Sequence, residues 1–116
     1  MLTFNLGLGI SGENKGWTAE LLFDRDPLKI RRIVLAAGSR IPPCRMAEDV
    51  VFLVLSGRVL FREVAEAAEV PAPGAVFIPG GAAERSMEAC EDSLVAAVLV
   101  RRPAAVVNND PGDTPS

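Results

Sequence analysis

Glycine and proline punctuate this chain so often that long helices are excluded. Ten glycines and nine prolines are spread over 116 residues, and most apolar stretches between them fall short of the roughly 10–12 residues an ordinary helix occupies. Short aliphatic and β-branched runs separated by turn residues are the pattern of an antiparallel barrel or sandwich. The spacing predicts strands at 18–23, 28–36, 50–55, 58–62, 75–78, 84–89 and 94–101. The run at 50–55 is continuously apolar, which predicts a core strand covered on both faces. Ser56-Gly57 supplies a flexible link into Arg58, so 50–55 and 58–61 are expected to pair as a hairpin. The stretch 63–69, rich in alanine and glutamate, is expected to be a loop holding one helical turn.

No segment repeats at a fixed period, and a chain of this length has room for one domain. The expected organisation is N-terminal strands over 1–27 that take part in dimer formation, a barrel core over 28–103, and a flexible tail over 104–116, where the composition turns polar and turn-rich. Twelve basic against fifteen acidic residues give a net charge of −3. That balance gives no electrostatic reason to bind a phosphate backbone, so nucleic acid is not expected as a partner. The doublets Arg31-Arg32 and Arg101-Arg102 are expected to be solvated strand ends. The run 94–100 is far shorter than the ~20 residues that span a bilayer, and the N-terminus lacks the pattern of a secretory signal. With two widely spaced cysteines, Cys44 and Cys90, the expectation is a cytoplasmic protein without a membrane partner.

From Gly38 onward the sequence resembles the cupin superfamily. The first cupin motif is Gly, five residues, His-x-His, three or four residues, Glu, six residues, Gly, and Gly38 and Gly57 fit its two ends without a gap. Counting inward puts Cys44 and Met46 where the family has histidines and Val50 where it has glutamate. The second motif ends Pro-x-Gly, two residues, His, three residues, Asn. Pro79-Gly80-Gly81 match its proline and glycine, with Glu84 at the histidine position and Glu88 at the asparagine position. The resemblance implies an all-β, cupin-type double-stranded β-helix or jelly-roll barrel, and a homodimer.

In the family those histidines and the glutamate hold a divalent metal. This chain has no histidine at all, so the usual nitrogen-rich set, and the usual general base, cannot be assembled. No cofactor is expected. Residues two apart share one face of a strand, so Cys44 and Met46 should both point into the barrel. Glu84 would join them, while its neighbour Arg85 should face the other way. The expected ligand-binding lining is Cys44, Met46, Val50 and Glu84, suited to a small apolar or amphipathic molecule. Two alternatives stand beside this binding module. One is a copper(I) site using the Cys44 thiolate and Met46 thioether. The other is an enzyme of unusual chemistry with Cys44 as nucleophile or Glu84 as acid/base. Glu48 and Asp49, beside the lost glutamate position, are expected to be solvated.

Overall fold

Alternating inward and outward side chains along short extended runs force this chain into sheets, and a computed structural model describes residues 1–6, 16–63, 66–81 and 84–101. Nine strands are described: β1 Trp17–Arg25, β2 Leu28–Leu35, β3 Arg40–Cys44, β4 Asp49–Ser56, β5 Arg58–Glu63, β6 Ala67–Pro71, β7 Gly74–Ile78, β8 Arg85–Ala89 and β9 Ser93–Val100. They form two antiparallel sheets, one of five strands in the order β1-β2-β9-β4-β7 and one of four in the order β3-β8-β5-β6. All seven predicted strands are present. The 104–116 tail lies outside the described residues, as does Arg102.

The expected β4–β5 hairpin does not form. β4 pairs with β7 and β9, whereas β5 pairs with β6 and β8, so Ser56-Gly57 is the corner where the chain crosses from one sheet to the other. Gly57 adopts φ +88°, a left-handed conformation, and a Cβ there would lie 2.2 Å from the Asp92 carbonyl oxygen and 2.3 Å from Ser93 Oγ. Only glycine fits. The corner is fastened by Ser93, 1% exposed, whose hydroxyl accepts from the Arg58 backbone N–H at 3.0 Å.

Two strands escaped the sequence reading. β3 contains Pro42-Pro43, yet it lies at an edge of the four-stranded sheet, where missing amide donors are tolerated. A register shift between Ile41 and Cys44 absorbs the extra residue. β6 takes up part of the segment expected to turn helically. Pairing with β5 from Arg58↔Pro71 to Arg62↔Ala67 overrides the weak helical preference of its alanines and glutamate.

The core lies between the sheets. Ile33 and Leu35 of β2, Val50, Phe52 and Val54 of β4, and Val95, Ala97 and Leu99 of β9 face Val59 and Phe61 of β5 and Met87 and Ala89 of β8. Phe52 and Phe61 join the two layers, with ring centroids 5.2 Å apart. β4 is not covered equally on both faces as expected. Val50, Phe52 and Val54 are buried, while Val51 and Leu53 on the opposite face are only half-buried. β1 continues the five-stranded sheet, and Trp17 packs against the core.

The first arginine doublet is not a solvated strand end, whereas Arg101 lies just past the end of β9 with its side chain 37% exposed. Arg31 and Arg32 lie in mid-β2, on opposite faces, and Arg32 is buried with its Nη1 2.9 Å from Glu20 Oε1. Arg101 Nη2 lies 3.3 Å from Asp24 Oδ1, and Nη1 pairs with Asp26.

Candidate functional site

The inward faces of the two sheets do not meet everywhere. They leave a cavity of about 390 Å³ whose lining draws on β1, β2, β3, β4, β5, β7, β8 and β9. Most of that lining is apolar: Trp17, Ile33, Phe52, Phe61, Ile78 and Leu99 surround the space. Pro42, Pro43 and Cys44 also line it and are themselves exposed, so β3 forms a lip between cavity and solvent.

Two positive groups reach this apolar space. Arg31 alternates with Ile33 and Leu35 along β2, so it shares their inward face. Arg85 alternates with Met87 and Ala89 along β8 and is 6% exposed. Its Nη1 donates to the Pro79 carbonyl at 3.0 Å. Its Nε and Nη2 are buried with no hydrogen-bond partner among the described residues, and the same holds for Arg31 Nε. Among the described residues the lining contains no aspartate or glutamate.

The turn carrying Gly80 and Gly81 organises one side of the site. The Gly81 N–H donates to the Met46 carbonyl at 3.0 Å, and the Gly80 N–H donates to Asp49 Oδ1 at 2.7 Å. A Cβ on Gly80 would sit 2.1 Å from the Ala47 carbonyl oxygen. This close approach ties the segment bearing Met46 to the segment bearing Arg85. Glu48, expected in solvent, is mostly buried against Lys29, with Nζ and Oε2 3.2 Å apart. Burial pushes its carboxyl pKa up, but a backbone hydrogen bond and the Lys29 ammonium together hold it below the usual range. Both acidic residues are therefore structural fasteners.

The four sequence-predicted lining residues separate. Cys44 and Met46 line the cavity. Val50 faces the interior but is 1% exposed within the packed core and does not reach the cavity. Glu84 lies outside it: its side chain is 55% exposed, with Oε2 4.0 Å from Arg45 Nε. The inward residues of β8 are 85, 87 and 89, one residue out of phase with the motif count. Because side chains alternate, that single step puts Arg85 inside and Glu84 and Glu88 outside. The signal available in the sequence was an ionisable residue in phase with apolar ones, Arg31 with Ile33 and Leu35, and Arg85 with Met87 and Ala89.

Comparison with solved structures gives this architecture its place. An RmlC-like cupin protein from Desulfovibrio desulfuricans matches with a TM-score of 0.76 at 18% identity, over 86% of this chain and 96% of that one. A cupin superfamily protein from Desulfitobacterium hafniense matches with a TM-score of 0.72 at 12% identity, over 80% and 84%. The chain has a cupin fold. A conserved Streptococcus pyogenes protein of unknown function is also similar, at a TM-score of 0.71 and 23% identity over 79% and 80% of the two chains. No family model and no curated protein sequence matches this cupin-fold chain.

The metal associated with cupins does not fit the residues present. Of the four substituted ligand positions, only Cys44 and Met46 reach the cavity. No group of three or more histidine, cysteine, aspartate or glutamate side chains converges among the described residues. The cavity instead presents two arginines in a largely apolar lining.

Proposed function

We propose that this chain is a metal-free cupin-fold binding module whose barrel takes up one small amphipathic molecule and does not transform it. The observation that carries the reading is the cavity of about 390 Å³ with its largely apolar lining, a size and character typical of small-molecule sites. Among the described residues the lining has no carboxylate and, in a chain without histidine, no imidazole, so they offer neither of the groups that most often move protons near neutral pH. That composition supports binding over catalysis by Cys44 or Glu84.

Trp17 provides the test. It is the single tryptophan of the chain and lines the cavity. A neutral probe such as 4-phenylbutanamide should shift its emission saturably and raise the melting temperature. Ala97→Leu, which pushes a larger side chain into the lining, should weaken both effects while the far-ultraviolet spectrum stays native. A series of phenylalkyl amides that moves neither signal would defeat the reading.

A homodimer belongs to the same proposal. The outer face of the five-stranded sheet carries Val51, Leu53 and Val98, and beside them Leu55 at 41%, Phe77 at 59% and Val100 at 41% exposure. Contiguous apolar surface of this kind suits a second copy of the chain. Sedimentation equilibrium should give twice the 12.3 kDa chain mass, and Phe77→Glu should reduce it to one. Both described thiols are free, which supports a reducing, cytoplasmic setting. No described helix is long and apolar enough to cross a membrane.

A further inference from the structure

We infer that the molecule held in the barrel is a carboxylic acid with an apolar body, its carboxylate taken by the Nε–Nη2 edge of Arg85 and drawn by the second charge of Arg31. The inference rests on the binding reading above and adds the chemical class of the ligand.

A guanidinium has two parallel N–H pairs that a carboxylate can bridge, and the side-on pair is Nε with Nη2. In Arg85 the remaining nitrogen, Nη1, is fixed on the Pro79 carbonyl. That contact orients the group and leaves the side-on fork as the pair without partners. Buried arginines are ordinarily matched by a carboxylate. Here the acidic neighbours in sequence are engaged elsewhere: Glu84 faces Arg45 and Glu88 faces Arg40 on the outside. Arg31 repeats the pattern, with a buried unpartnered Nε in the same lining. A protein of net charge −3 thus concentrates two positive groups, and no negative one among the described residues, around its apolar cavity.

A carboxylate fits better than a phosphate ester. Beyond the guanidiniums the polar side chains of the lining among the described residues are the Ser86 hydroxyl and the Cys44 thiol, besides the Trp17 indole, few donors for the three terminal oxygens that share a phosphate ester's charge. The Arg85 fork is also closed to water, so an anion reaches it by displacing lining side chains. Met46 and Met87 are the flexible ones.

The experiment titrates Trp17 emission with 4-phenylbutanoate, its neutral amide and 3-phenylpropyl phosphate, in the wild type and in Arg85→Met, Arg85→Lys and Arg31→Met. One bidentate charge-assisted contact should make the acid bind about 10- to 100-fold tighter than the amide. Arg85→Met should erase that gap, chiefly by weakening the acid. Arg85→Lys, which keeps the charge without the fork, should restore part of the gap, and it serves as the informative variant if the methionine protein does not fold. Arg31→Met should narrow the gap less. Equal binding of acid and amide by the wild type, or a gap that survives Arg85→Met, would overturn the carboxylate inference while leaving a binding cavity. Preference for the phosphate would replace carboxylate by phosphate. If no probe perturbs Trp17, the binding reading falls and takes this one with it.

Discussion

Replacing Arg85 with methionine should make the protein more stable in the absence of any ligand. The wild-type side chain is 6% exposed and leaves Nε and Nη2 without partners. An unsatisfied buried donor costs about 1–3 kcal/mol, and a charged one lies toward the upper end. Against this, the substitution forfeits the Nη1 hydrogen bond to Pro79, worth about 1.5–3 kcal/mol for a charged donor. Pro79 is exposed, so its carbonyl can turn to water at little further cost. Methionine refills most of the volume of the apolar arginine stem. The balance is a gain of about 1–3 kcal/mol, which for a domain of this size raises the melting temperature by roughly 3–6 °C per kcal/mol. Urea unfolding followed by circular dichroism should move its midpoint upward with an unchanged slope. A native spectrum with an unchanged or lower midpoint would refute the reasoning, because it would mean that the Arg85 nitrogens are already satisfied. A gain would mark Arg85 as a residue kept at the expense of stability, the usual relation at a functional site.

Three further outcomes follow from the geometry. Gly57→Ala should cost about 3–5 kcal/mol, since a left-handed φ is joined there by contact with the Asp92 backbone at 2.2 Å, whereas Gly38→Ala, at φ +83° with open space around it, should cost only about 1–2 kcal/mol; thermal unfolding of the pair separates the two effects. Glu48→Gln should cost about 1 kcal/mol at neutral pH. The folded carboxyl sits below its ordinary value of 4.5, so its contribution is present above that value and is lost as pH falls through the lowered one; the difference between wild type and variant should close in acid, and a constant difference would contradict the ion pair with Lys29. If the cavity instead takes copper(I) through Cys44 and Met46, a competing chelator should lose the ion to the wild type and retain it against Cys44→Ser. Cys90 serves as the internal control, because desolvation and then the carboxylate of Glu69 push its thiol pKa up despite the opposing charge of Arg58, so it should react slowly with alkylating agents at neutral pH.

The strands legible in the sequence were those in which β-branched residues dominate, because extended backbone and burial favour the same side chains there. Partner choice was not legible at Ser56-Gly57. A two-residue glycine link serves a hairpin or a sheet-to-sheet corner equally well, and the deciding contact, with Ser93, comes from the far end of the chain. β3 was hidden by its prolines, since only its place at the edge makes them tolerable. In the site, Cys44 and Met46 were legible from motif spacing, but Arg85 was not. The motif count puts Glu84 inside, whereas β8 turns Arg85, Met87 and Ala89 inward, and a period-two pattern turns any one-residue miscount into an inversion of inside and outside. The apolar partners of Arg85, Met87 and Ala89, held the correct phase throughout.

The paired prolines of β3 also shape how this barrel meets its neighbours. An exposed edge normally offers a row of amide hydrogens that another chain can adopt as a template. Pro42 and Pro43 remove two successive amide hydrogens at the rim of the cavity, and because neighbouring N–H groups of a strand point to opposite sides one of the two is taken from the open edge; with φ locked there as well, this edge resists growth into a continuous intermolecular sheet. If the barrel takes up a ligand as proposed, the stiff backbone of this lip leaves exchange to side-chain rotation rather than to loop opening.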